Sequence, residues 1–341
     1  MSTEPKYSFR YLDENEYAMW DDFVEDAETG TLFHKTTHLK SISEAFNYHF
    51  SILGIYNKND QLIGGLAFAY TRKFNISNIL IPYITPYYSP LIKSSGKKYS
   101  SKEESYRHTI VYRLIDELSK RFKIINLTFP PNDIDIRPYI WSGFKTEVLY
   151  TYEINLDMDF IPDEQYNPDI KRRISKAQNL DYKLQQGDAD ELINIYYDLQ
   201  LKSYQKQKAL FPLSRTQFES YVRNMRTDNN ICIYLIYYQS KPVNGITVLY
   251  GKDTAYYFLA GSDPEYLSTG LNQVLFVYVV NEVKKRKISK YDLRGANTPS
   301  IAFYKATYNF PLIPYYRVFK IFGQKAKILL KLKALYERCK I

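Results

Sequence analysis

Residues 230–250 read NICIYLIYYQSKPVNGITVLY. Apolar and β-branched residues run on both sides of a short polar turn, the signature of a β-hairpin, and the second strand carries Gly245. An earlier stretch, HFSILGIYNKNDQLIGGLAFAY at 49–70, has the same plan, with Gly64 and Gly65 in its second strand. Similarity at the scale of a whole domain organises the rest of the chain.

Each hairpin leads to a helix. KEESYRHTIVYRLIDELSKRF (102–122) places Ile110, Leu114, Ile115 and Leu118 at helical spacing. GLNQVLFVYVVNEVKKRK (270–287) does so with Leu271, Leu275, Tyr278, Val279, Glu282 and Val283. Both end in basic residues, which suit the negative end of the helix dipole. A short strand follows each, IINLTF (124–129) or ISKYDL (288–293), then a loop and a helical turn, IRPYIWSGF or SIAFYKATYNF. Gly143-Phe144 and Asn309-Phe310 align at a shift of 166 residues, and each pair opens a last strand, KTEVLYTYEINL or PLIPYYRVFKI. The helical crossover predicts one parallel pairing inside an otherwise antiparallel sheet.

The reading is therefore α/β with a mixed sheet, in two similar units. The boundary falls in the acidic, polar run DMDFIPDEQYNP, giving units 1–157 and 158–320 and a tail 321–341. The first unit carries an insertion rich in Tyr, Pro and Ser, IPYITPYYSPLIKSSGKKYSS. The second opens with NPDIKRRISKAQ, where Asn167 is an N-cap, Pro168 the first helical residue and Asp169 an acid at the positive end. Helices at 188–207 and 214–225 precede its hairpin.

Composition excludes several classes. With 45% hydrophobic and 24% charged residues the chain is globular and not disordered. Cys232 and Cys339 are the only cysteines, too few for a disulfide framework or a zinc site, and Cys232 reads as a core thiol. The N-terminal residues have no apolar run, and no stretch approaches the roughly 20 apolar residues of a membrane span. The expectation is a cytoplasmic protein. Net charge is +9, concentrated in the tail, where six basic residues face one acidic residue. There Ile328, Leu332, Leu335 and Tyr336 share a face opposite lysines, a basic amphipathic helix suited to peripheral contact with an anionic inner membrane surface or to docking on its own domain. The abundance of Tyr among Lys also keeps nucleic-acid binding open.

The duplicated plan, with the phrase YYFLAGSDPEYLSTGLNQVLFVYVVNEVKKRKISKYDLRGANTPSIAFYKATYNF (256–310), resembles the GNAT acyltransferase superfamily in its tandem form. More narrowly it resembles the Fem-type peptidoglycan-bridge aminoacyltransferases and relatives of unknown acyl donor. The resemblance implies two tandem GNAT-like units, the second catalytic, and an acyl-CoA or aminoacyl-tRNA donor without a metal. The acceptor would be an amine of a phosphate-bearing cell-envelope or sugar precursor. Nucleic acid enters only if a tRNA is the donor. Other implied roles are bridge formation from charged tRNA, or a non-catalytic pair binding nucleic acid or anionic membrane. Where the superfamily carries a Gly-rich pyrophosphate loop, this chain has YLSTGLN, leaving Gly270 and Asn272 as the cofactor-binding candidates. No segment has the length and heptads of the tRNA-docking helical arm.

Acyl transfer to an amine needs oxyanion stabilisation, a deprotonated amine and a proton for the leaving group. No histidine lies beyond residue 108. His34 and His38 have the i, i+4 spacing of metal ligands, but they straddle a loop and a helix start with no nearby acid, so no metal is read. Asp292, at the end of a buried strand, reads as a base or an orienter of the amine. It reads equally as a cap of the next loop or a partner of Arg294. Asn297 suits a tight loop close to substrate. Lys305 holds the slot, four before Asn309-Phe310, where the superfamily often has the tyrosine that protonates the leaving thiolate. It can steady an oxyanion or a donor phosphate, or be a solvated helix lysine. Tyr256 is a third catalytic candidate, or plain strand packing. Lys171, Arg172, Arg173 and Lys176 cluster on one helix and suit an acceptor phosphate, or form a solvated face.

Overall fold

The computed structural model describes residues 6–73, 76–156 and 166–323. They form two compact units, one of residues up to 43 with 47–148 and those from 315 on, the other of 44–46 with 149–314. Much of the boundary read from the sequence, 157–165, lies outside the described residues, as does the tail from 324.

In the first unit, β1 (Ser8–Tyr11), α1 (Tyr17–Asp26) and α2 (Thr36–Phe46) precede the hairpin β2 (His49–Tyr56) and β3 (Leu62–Lys73). Then come β4 (Ile76–Ile79), β5 (Leu91–Ile92), α3 (Ser100–Arg121), β6 (Phe122–Thr128) and α4 (Arg137–Trp141). Neighbours run antiparallel from β1 to β4. β4 and β6 are parallel across the α3 crossover, with Ser77 opposite Phe122. Residues 317–321 of the last strand, Leu312–Ile321, add antiparallel to β6. The α3 stripe Ile110, Leu114, Ile115 and Leu118 is buried, as its spacing requires. β1, α1 and β5 carry no alternation or periodicity strong enough to read in advance.

The second unit comprises β7 (Lys145–Asn155) from residue 149 on, α5 (Pro168–Gln178), β8 (Tyr182–Gly187), α6 (Asp190–Lys206) and α7 (Arg215–Arg226). They are followed by β9 (Ile231–Tyr238), β10 (Lys241–Tyr250), β11 (Thr254–Ser262), α8 (Leu271–Lys285), β12 (Lys290–Asp292) and α9 (Pro299–Ala306). The strand order is β7-β12-β11-β10-β9-β8, and β11 with β12 is the parallel pair. Asn167 caps α5 by accepting from Ile170 N at 2.9 Å.

One sheet face packs on α5 and α8, through Ile170, Ile174, Leu271, Leu275 and Val279 against Tyr234, Ile246, Val248 and Tyr291. Residues of opposite parity meet α6 and α7. Tyr221 of α7 stacks on Phe258 at 5.3 Å, and a Cβ on Gly245 would lie 2.7 Å from the Tyr196 ring of α6. Gly65 has the same task in the first unit, where a Cβ would lie 2.6 Å from the Trp20 ring of α1. Thus the glycine in each hairpin's second strand lets a helix-borne aromatic ring rest on the sheet.

No helix among the described residues is long and apolar enough to cross a membrane. Cys232 is buried, and burial raises its thiol above the usual range.

Candidate active site

β11 and β12 pair only through Thr254↔Lys290, Ala255↔Tyr291 and Tyr256↔Asp292. β12 stops there and β11 runs on to Ser262. Just past the last pair, the register of β11 against β10 slips. Thr247 faces Leu259 and Val248 faces Tyr257, leaving Phe258 as the extra residue of a β-bulge. The result is a fork at the carboxyl end of a parallel pair, where α/β sheets place ligands. The chain leaving β12 turns through Arg294 (φ 56°) and Gly295 (φ 63°). The Arg294 side chain reaches back across the fork, its Nη1 3.5 Å from the Phe258 carbonyl.

Lys305 of α9 enters this fork. It is 7% exposed. Its Nζ donates to the carbonyls of Leu293 at 2.5 Å and Arg294 at 2.8 Å, and lies 4.9 Å from the centre of the Tyr257 ring. Burial, reinforced by the Arg294 charge and only partly opposed by Asp292, lowers the amine to about 7. The solvated-lysine alternative is thereby excluded: α9 turns this side chain inward, between two carbonyls and an aromatic face. An amine with that affinity for protons can give or take one near neutrality.

Aromatic rings wall the fork on the α8 side. Phe276 and Tyr308 are 4.2 Å apart, and the Tyr304 and Tyr308 hydroxyls meet at 2.8 Å. Burial holds both phenols above the ordinary range. Asn272 lies beside the Tyr304 hydroxyl, and its buried Oδ1 has no hydrogen-bond partner among the described residues. Gly270 (φ 84°) ends a 3-10 turn, Pro264–Thr269, and starts α8; a Cβ there would be 2.6 Å from the Arg173 carbonyl of α5. This packing brings Gly270, Asn272, Tyr304 and the basic helix together. Leu271 N, at the head of α8, donates to Thr269 Oγ1 at 3.3 Å, so the turn satisfies this amide itself.

The other candidates lie as follows. Asp292 is 1% exposed, and its Oδ1 accepts from Thr151 Oγ1 at 2.5 Å and from the backbone N of Arg294 at 2.8 Å. Its neighbours Tyr291 and Leu293 point into the α8-side core, so its carboxylate points to the opposite face from Lys305. Asp292 meets Arg294 through the backbone, as a loop cap does, and Tyr256 is buried beside it on the same face. Asn297 pairs with the Tyr150 backbone, accepting from its N at 2.8 Å and donating to its O at 3.2 Å. Lys171, Arg172, Arg173 and Lys176 are all exposed on α5, and Arg172 also meets Asp169 at 3.0 Å.

The sequence reading did not single out Thr151 or the Phe258 bulge, and neither has a local signal, since both roles follow from cross-strand register. His34 and His38 are fully buried in the first unit. His34 is bonded to Thr31 and Ser89, and His38 to Thr85 at 2.8 Å. Among the described residues no His, Cys, Asp or Glu cluster is grouped to hold a metal ion.

Residues 166–306 match a family profile described as Acetyltransferase (GNAT) domain. None of the curated proteins matches the chain by sequence. Among solved structures, FemX superposes with a TM-score of 0.72 at 10% identity, over 95% of this chain and 99% of its own. A tandem GNAT protein from the clavulanic acid biosynthesis pathway gives 0.56 at 12% identity, over 93% and 99%. L-PGS from Bacillus licheniformis gives 0.55 at 11%, over 91% and 93%. At such identities the likeness is one of fold, and the fold is that of tandem GNAT-like units.

Proposed function

We propose, from the premise that residues 166–306 are a GNAT domain, that the chain is an N-acyltransferase acting at the β11–β12 fork. It would move an acyl or aminoacyl group onto an amine of a phosphate-bearing cell-envelope or sugar precursor. The observation that carries the reading is Lys305, a buried amine lowered to about 7 and held at the mouth of a bulged, splayed parallel pair.

In this reading the acyl carbonyl lies along the edge of β11 that β12 leaves unpaired, and the acceptor amine attacks it. Lys305, as ammonium, stabilises the charge that develops and supplies the leaving group's proton, and the proton that the attacking amine sheds restores the ammonium. The two carbonyls and the Tyr257 ring fix the ammonium in place beforehand, so little reorganisation remains for the reaction itself. Asp292 serves as a positioning residue: by bonding Arg294 N it sets the loop whose carbonyls hold Lys305. Arg172, Arg173, Lys171 and Lys176 offer cations to the acceptor's phosphate. The likeness to FemX and L-PGS supports an aminoacyl donor, and the profile match supports an acyl-CoA.

The test is single-turnover transfer from labelled aminoacyl-tRNA and from labelled acyl-CoA to amine-bearing, phosphate-linked acceptors, with Lys305→Ala as control. Transfer that needs one donor and collapses in the variant supports the reading. Transfer from neither donor, or transfer indifferent to Lys305, refutes it.

A further inference from the structure

A separate pocket, of about 370 Å³, lies in the first unit and is lined by His49, Tyr70, Arg72, Ser77 and Arg121. Its floor is two cross-strand pairs: His49 opposite Tyr70, and Arg72 opposite Ser77. Tyr70 and Arg72 are two apart on β3, so all four side chains share one sheet face. Arg121, the last residue of α3, forms a wall. It lies by the start of β6, at the opposite end of that strand from its carboxyl terminus.

Basic residues at the end of α3 suit the helix dipole, and Arg121, although exposed, folds back onto aromatic rings. Its guanidinium lies 5.0 Å from the centres of the Tyr11 and Tyr70 rings and 5.3 Å from that of Phe122, and its Nη2 donates to the Tyr70 hydroxyl at 2.9 Å. Among the described residues no carboxylate forms an ion pair with it. The nearby acid Glu117 is bonded to Lys120 at 2.6 Å. The His49 ring rests on Tyr70 at 5.2 Å. The described lining residues therefore supply two guanidiniums, an imidazole and two hydroxyls, and none of them is an acid. Guanidinium forks flanked by hydroxyl donors match the tetrahedral oxygens of a phosphate, and aromatic stacking limits the side-chain freedom that Arg121 would lose on binding.

We infer that this pocket binds the phosphate group of a small phosphorylated molecule or of a phospholipid head group, at a site independent of the β11–β12 fork. The experiment uses the full chain. Glycerol 3-phosphate is titrated by calorimetry at constant ionic strength, and co-sedimentation is measured with phosphatidylglycerol and phosphatidylcholine vesicles. Variants are Arg72→Gln, which replaces an exposed strand side chain, Arg121→Lys, which keeps the charge but not the fork, and their combination. Losing two charge-assisted contacts weakens binding at least about tenfold. Saturable glycerol 3-phosphate binding that weakens to this degree in the double variant supports a soluble ligand. Binding only to phosphatidylglycerol vesicles, lost in the same variant, supports the lipid source. Equal binding by wild type and double variant in both arms, with the variant's circular dichroism unchanged, overturns the site. Arg72→Gln alone decides if the double variant does not fold.

Discussion

The Lys305 ammonium and the Tyr257 ring face each other at 4.9 Å, and the Leu293 and Arg294 carbonyls hold the same ammonium at 2.5 and 2.8 Å. A ring face and two carbonyls favour the cation, while burial opposes it more strongly, so the amine titrates near 7 instead of 10.5. Lys305→Ala is expected to lower turnover about a hundredfold or more, comparable to removing one oxyanion donor, with a smaller change in substrate affinity. Lys305→Arg is expected to recover only part, because a planar fork does not replace a point charge. Turnover in the wild type falls as pH rises through about 7, as the ammonium is lost, and Lys305→Ala lacks that limb. Steady-state kinetics across pH, on the donor that supports transfer, check all three.

The same group links stability to pH. Its folded value, about 7, is below its unfolded value, so between these pH values the unfolded chain binds the extra proton. The penalty of the buried ammonium is full below 7 and disappears as pH rises toward 10.5. Wild type should gain stability relative to Lys305→Met across that window, with a slope approaching about 1.4 kcal/mol per pH unit. Urea unfolding of both proteins at pH 6.5, 8 and 9.5 measures it. A constant difference would mean that the amine is not shifted.

In the first unit two buried groups oppose each other. Burial lowers His34 to about 4 and raises Asp133 to about 6, with Arg107 at 3.9 Å only partly offsetting the latter. As pH falls from 6.5 to 4, the unfolded state gains the histidine proton and stability drops. As pH falls from 6 to 3.8, the folded state gains the carboxyl proton and stability rises. Wild type should therefore change little between pH 6 and 4.5 from these two groups. Asp133→Asn should lose stability steeply on acidification, and His34→Gln should gain. Parallel acid profiles for all three proteins would contradict the two shifts.

Arg172 and Arg173 project from α5 into solvent, and the Arg172–Asp169 ion pair has side chains 80% and 75% exposed. Such a pair adds little to stability. Replacing both arginines by Ala should leave the urea midpoint nearly unchanged. If they hold the acceptor's phosphate, its dissociation constant should rise at least about tenfold. Calorimetry with the acceptor gives the answer. Unchanged affinity would assign the cluster to the solvated face of its helix.

Gly270 joins its turn to α8 at φ 84°, with the Arg173 carbonyl 2.6 Å from where a Cβ would be. Gly270→Ala should cost about 1–3 kcal/mol, as strained positive-φ positions do, and displace α5 from the head of α8. Chemical denaturation reads the first effect. The second appears as altered near-ultraviolet dichroism from Tyr304, which lies beside Asn272, and from Tyr308, whose hydroxyl meets that of Tyr304. A neutral substitution would mean that the turn relaxes freely.

Much of this architecture was legible in the chain because it depends on local periodicity. The hairpins at 49–70 and 230–250, the helices ending in basic residues, the parallel crossover, the Asn167 cap and the buried Cys232 follow from patterns within about 20 residues of one another. Elements with weak patterns were not legible: β8 alternates between half-buried and exposed residues at a sheet edge, and β1 is four residues long. Lys305 stood out as a candidate by its slot, and its burial depends on packing that no local pattern gives.

What the sequence by itself determined was the order of elements and which residue types reach the fork, since both follow from a period of 2 or 3.6 along one chain. The direction in which each side chain points there was decided by the tertiary structure. Asp292 and Lys305 are thirteen positions apart and both were catalytic candidates, yet strand parity sends the carboxylate to Thr151 on one face and helix α9 brings the ammonium to Tyr257 on the other. The bulge at Phe258, the fork it opens and the lowered affinity of Lys305 for its proton depend on register with strands far away in sequence and on exclusion of water. No local pattern encodes either.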